Sequence, residues 1–193
     1  MEVEAATPSP REIEALARRV DRPLVLVGLM GVGKSTVGRR LASLLQFDFV
    51  DADEEIEKAA QMPISEIFET YGEPYFRSGE RRVIARLIDD AARDGNKVLA
   101  TGGGAFADPE TRALILERGI AIWLDSDTDT LLERVSRKSN RPLLTGGDPR
   151  ATLDRLRAER GPAYAEAPIR VESRTGPHQR TVLAILSELE AFL

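Results

Sequence analysis

A chain of 193 residues, 42% hydrophobic and 31% charged, has room for one α/β domain and little for a second. No apolar run approaches the ~20 residues of a membrane helix, and residues 1–10 are acidic and lack the apolar stretch of a secretory signal. The absence of cysteine excludes disulfides, thiolate metal sites and cysteine nucleophiles, and a net charge of −5 argues against nucleic acid as the main partner. A cytoplasmic protein that engages neither nucleic acid nor membrane is expected.

Residues 1–22 stand apart from the rest. Pro8-Ser9-Pro10 breaks the chain, and Ile13, Leu16, Ala17 and Val20 then mark a short amphipathic helix that packs as an appendage. Residues 23–193 read as a single domain in which strands and helices alternate. Strands are predicted near 24–28, 47–51, 97–101, 120–124 and 168–172. Helices are predicted near 34–45, 53–60, 64–70, 74–94, 109–118, 128–137, 150–160 and 178–192. The alternation predicts a parallel sheet between helices, with ligands at the carboxyl ends of the strands.

The first strand, Leu24-Val25-Leu26-Val27, runs into Gly28-Leu29-Met30-Gly31-Val32-Gly33-Lys34-Ser35-Thr36, which fits G-x-x-x-x-G-K-[ST] without a mismatch. Strand, glycine loop and helix form the context of a working phosphate loop. Its backbone N–H groups, from Gly31, Val32 and Gly33 to Thr36, curl around phosphate oxygens at the positive end of the helix. Lys34 reaches the β- and γ-phosphates, and the Ser35 hydroxyl ligates Mg²⁺. A nucleoside triphosphate is the expected ligand.

The second strand ends in Asp51-Ala52-Asp53. Alternation along a strand puts both carboxylates on one side, where one supports hydrated Mg²⁺ and the other takes a proton from a substrate hydroxyl. Asp53 also reads as the N-cap of a helix starting Glu54-Glu55, and the phosphate loop next door tips the balance toward catalysis. Arg77 and Glu80 are three apart on a predicted helix; a routine surface ion pair is the favoured reading, and bidentate capture of a planar anion the alternative. Val98-Leu99-Ala100-Thr101 breaks into Gly102-Gly103-Gly104, where a ligand can approach the backbone closely. Trp123 reads as core and His178 as a surface or helix-start residue. Residues 137–149 carry Pro, Gly-Gly and Asp-Pro without periodicity and read as a mobile lid; a solvated basic loop is the commoner fate of an arginine such as Arg141, and delivery to the transferring phosphoryl group on closure is the functional alternative.

Taken in order, the phosphate loop, Asp51-x-Asp53, Ile67-Phe68 with Gly72-Glu73 and Phe76-Arg77, Gly102-Gly103-Gly104-Ala105, Arg141-Pro142-Leu143-Leu144 and Arg160-x-Pro162-x-Tyr164 resemble the shikimate kinases, from about Leu24 to the C-terminus. The resemblance implies a three-layer α/β/α P-loop kinase fold and transfer of a phosphoryl group from MgATP to shikimate, a step of aromatic amino acid biosynthesis. Under it, Asp53 holds the shikimate hydroxyls and acts as base, Asp51 stands near Mg²⁺, and Arg77 and Arg160 clamp the carboxylate. Gly102, Gly103 and Gly104 offer backbone contacts, Arg141 reaches the phosphates and Arg134 packs near adenine. Residues 173–177 depart from the family's adenine-contacting loop, so no role is carried onto them. A monomer is expected. The competing expectations are another small-metabolite kinase, such as a gluconokinase, and a nucleotide-binding module without catalysis.

Overall fold

The computed structural model describes residues 7–136 and 147–193. Five strands form one sheet: β1 (Leu24–Val27), β2 (Asp48–Asp51), β3 (Lys97–Ala100), β4 (Ile120–Asp125) and β5 (Ile169–Glu172). Their spatial order is β2-β3-β1-β4-β5, and every pairing is parallel. The three inner strands are apolar almost throughout because helices cover both faces of the sheet. β5 alternates buried and exposed residues, as an edge strand does. The chain leaves β1 toward one side of the sheet and returns to its other side only at β4. The carboxyl end of β1 therefore opens into the crevice where parallel sheets bind ligands.

The helices among the described residues are α1 (Pro10–Arg19), α2 (Lys34–Leu45), α3 (Ala52–Ala60), α4 (Ile64–Asp94), α5 (Pro109–Arg118), α6 (Thr128–Ser136), α7 (Pro149–Tyr164) and α8 (His178–Phe192). Helix α1 is held at its start by a capping box between Ser9 and Glu12. It places Leu16 and Val20 in the main core, with Ile13 and Ala17 packed against it. Helix α4 breaks at Gly72, whose φ of 81° and ψ of 171° are not helical, just before Pro74. The predicted separation of 64–70 from 74–94 marks this break. Helix α3 and both sides of the break in α4 enclose a small apolar cluster of their own around Ile56, Ile67 and Phe76.

Two expectations need correction. Helix α7 does not stop at 160 but continues through Gly161 and Pro162 to Tyr164. A proline costs the helix one N–H donor, and the buried Tyr164 ring anchors the final turn. The aspartate pair does not lie on one strand: β2 ends at Asp51, and Asp53 is already in the first turn of α3. Asp51, not Asp53, is the N-cap, accepting from the Asp53 N–H at 3.1 Å. Arg141 and residues 137–146 of the expected lid lie outside the described residues.

Candidate active site

Beyond β1 the backbone turns through Gly28, Gly31 and Gly33, and Gly33 caps α2 with a φ of 100°. That conformation strains any residue with a Cβ, so glycine is required where the loop meets the helix. Lys34 is 9% exposed; its Nζ donates to the carbonyls of Gly28 at 2.7 Å and Leu29 at 2.9 Å, folded over the loop that it serves. The Ser35 hydroxyl donates to Asp51 Oδ2 at 2.7 Å, while Asp51 Oδ1 caps α3. Two hard oxygen donors thus stand together at the phosphate loop. Mg²⁺ favours such donors, usually one or two protein groups completed by water and phosphate oxygens.

Across this cleft of about 500 Å³, Asp53 faces Gly102 and Gly103. Burial pushes the Asp53 carboxyl above the usual carboxylate range and repulsion from Asp51 adds to it, with Lys34 and Arg77 pulling the other way. The glycine turn is anchored by Thr101, whose N–H and hydroxyl both donate to the Leu26 carbonyl of β1. A Cβ on Gly102 would stand 2.9 Å from Asp53 Oδ1 and 3.2 Å from Glu80 Oε1, and one on Gly104 would overlap the Arg77 guanidinium. Space for a ligand is thus only part of the reason for three glycines. Two carboxylates and an arginine are packed against that backbone.

The Arg77–Glu80 pair does not lie on the surface as expected. Glu80 is 1% exposed and accepts from Arg77 Nη1 at 2.6 Å, while its Oε1 has no hydrogen-bond partner among the described residues. Glu73 takes the other edge of the same guanidinium. Burial raises the Glu80 carboxyl above its ordinary value, against the pull of Arg77. Arg77, Gly104 and Arg160 line an adjoining cleft of about 680 Å³, next to the first across the glycine turn.

At the other end, Arg134 Nη1 donates to the Val32 carbonyl at 2.9 Å and to Ser173 Oγ at 3.0 Å, and its Nη2 to the Arg174 carbonyl at 2.5 Å. The fully buried Ser173 hydroxyl also donates to Val32 at 3.1 Å, so the turn before α8 is tied to the phosphate loop. The Val32 side chain is buried in the core, and Val32 is not among the residues that line this cleft. His178 is the first residue of α8, as expected of a helix start, but its ring lines the cleft and packs against Gly33. A lone histidine after Gly-Pro carries no sequence signal for that position. For Glu80, the signal was its three-residue spacing from Arg77, which does not report burial.

The cleft therefore brings together Gly31, Gly33, Lys34, Ser35, Thr36, Asp51, Asp53, Gly102, Gly103 and Arg134, and sets Arg77, Gly104 and Arg160 beside them. A profile of the shikimate kinase family matches residues 30–190. A shikimate kinase of Novosphingobium aromaticivorans is 65% identical over 193 residues, covering both chains in full. The solved shikimate kinase of Acinetobacter baumannii, in complex with shikimate, superposes with a TM-score of 0.82 at 37% identity, over 95% of this chain and 98% of that one. A gluconokinase of Sinorhizobium meliloti shares the fold at a TM-score of 0.58 and 20% identity, over 91% of this chain and 95% of that one.

Proposed function

The chain belongs to the shikimate kinase family, and on that premise we propose that it transfers the γ-phosphate of MgATP to the 3-hydroxyl of shikimate, giving shikimate 3-phosphate and ADP. The observation that carries the reading is the meeting of a phosphate loop, a carboxylate with a raised pKa and a pair of arginines around one glycine turn. In this reading ATP lies along the loop from Gly31 to Thr36. Lys34 exchanges its two loop carbonyls for β- and γ-phosphate oxygens, which shifts positive charge to where the transition state gathers negative charge. Ser35 and Asp51 hold Mg²⁺, which supplies further neutralisation of the phosphates when bound.

Asp53 orients the acceptor hydroxyl and takes its proton; a carboxylate whose pKa is raised is a better base than one at the ordinary value. Arg77 and Arg160 receive the shikimate carboxylate, with Gly102, Gly103 and Gly104 offering backbone contacts. Glu80 and Glu73 hold the Arg77 guanidinium in place until the acceptor arrives. Arg134 has donors committed to Val32, Ser173 and Arg174, which leaves the flat guanidinium face for an adenine ring. Arg141 is assigned to the transferring phosphoryl group on closure of residues 137–149. The kinase domain is taken as 23–193, working as a cytoplasmic monomer of which 1–22 is an extension; among the described residues no helix is long and apolar enough to cross a membrane.

ADP release in the presence of Mg²⁺ tests the reading. Shikimate should support turnover at least a hundredfold above the ATP-only rate and gluconate should not. Equal rates with both acceptors, or with neither, would overturn it.

A further inference from the structure

Tyr164, the last residue of α7, is 2% exposed. Its ring stacks between Phe106, 6.5 Å away between centroids, and Trp123, 5.9 Å away. A phenylalanine would fill the same space, so packing alone does not account for the hydroxyl. A buried hydroxyl is costly unless it is bonded. This one donates to the carbonyl of Gly103, the middle residue of the glycine turn. The Arg160 guanidinium, one helical turn earlier on α7, lies beside the same phenol oxygen. Its Nη1 would stand 3.4 Å from a Cβ on Gly103. One oxygen thus joins a strand-end turn and a helix, and each of them contributes to the acceptor side of the cleft.

We propose that Tyr164 is a positioning residue for the acceptor: its hydroxyl pins the Gly103 peptide and steers the Arg160 guanidinium, so that both meet the acceptor in one fixed relation. Thr101, Ala105, Ala107 and Asp108 tie the two ends of the turn through Leu26, Gly102 and Gly104, and the phenol holds the carbonyl of the middle glycine, where no side chain of its own restricts the backbone. The peptide is planar and trans, so holding the Gly103 carbonyl on the phenol directs the Gly104 N–H the opposite way, off the α7 side of the turn. Burial pushes the phenol up to about 12, so it remains a donor across the working pH range. The inference rests on the assignment of Gly102–Gly104 and Arg160 to acceptor binding.

The test is steady-state kinetics on Tyr164→Phe, Arg160→Lys and the double variant, with ATP and shikimate varied separately. Tyr164→Phe should raise the KM for shikimate about tenfold, leave the KM for ATP within twofold, and shrink the rise in melting temperature that shikimate produces. The double variant should lose less than the product of the two single losses, because both substitutions act on one contact. A lower melting temperature with an unchanged KM for shikimate, while Arg160→Lys raises that KM, would overturn the proposal and leave the acceptor site standing. If Arg160→Lys leaves it unchanged as well, the acceptor assignment fails and the proposal with it. Should the phenylalanine variant not fold, the unaltered protein decides: shikimate must change the emission of Trp123, the one tryptophan in the chain, through the Tyr164 ring, and an unresponsive emission would overturn the coupling.

Discussion

Asp53 is where chemistry and stability pull in opposite directions. Its folded-state pKa is raised, chiefly by burial and then by Asp51. The neutral form is therefore the one that the fold prefers, so the stability it contributes is complete below the ordinary carboxylate value and is lost as pH rises through the raised one. Asn cannot ionise and escapes that loss. Asp53→Asn should melt above the unaltered protein at pH 7.5. The gap should close toward pH 4. Turnover should fall by at least a hundredfold, with ATP affinity kept within a few-fold, because on the proposed reading the base would touch the acceptor alone. Calorimetry at the two pH values, set beside the kinetics, checks both halves. A variant that melts lower at pH 7.5 and still turns over would refute the assignment. The same tension between a working site and a stable fold holds for Glu80, which is buried beside Arg77 with one oxygen lacking a partner among the described residues.

At the scale of elements, much was legible before any coordinates. Each strand lies within one or two residues of its predicted span, because short apolar runs bounded by Gly, Asp or Asn are strong signals. The break in α4 was legible from Gly72 and Pro74, and the phosphate loop from its motif and flanks. What escaped were properties that depend on three dimensions. Alternation misplaced Asp53 because the strand pattern does not carry past Asp51, and Asp53 already belongs to the first turn of α3. The burial of the Arg77–Glu80 pair follows from where α4 meets the glycine turn, and the position of His178 from where α8 meets the loop. Neither contact is written in residue spacing. Helix α1 was read as an appendage, and its contacts allow a sharper expectation. With Leu16 and Val20 in the main core, deleting residues 1–21 should lower the melting temperature by about 5–10 °C, the equivalent of roughly 2–3 kcal/mol. Turnover at saturating ATP and shikimate should stay within twofold. A tenfold loss of turnover would mean that the extension reaches the active site.

The whole molecule joins two kinds of recognition through its sheet. The order β2-β3-β1-β4-β5 places the phosphate loop after β1, the Asp51 end of β2 and the glycine turn after β3 side by side, on one edge of the parallel sheet. Helix α7 brings Arg160 and Tyr164 to the same turn from the far side. On the proposed reading, nucleotide and acceptor would be held by different elements that meet at Asp53 and Gly102, an arrangement suited to in-line transfer between two bound molecules without a covalent intermediate on the protein. Phosphorus NMR of a reaction run to completion with ATP, Mg²⁺ and shikimate tests this most directly. The account predicts one new phosphate monoester, coupled to the proton on C3 of shikimate and formed in equal amount to ADP. Inorganic phosphate as the main product, or a monoester on another hydroxyl, would contradict it.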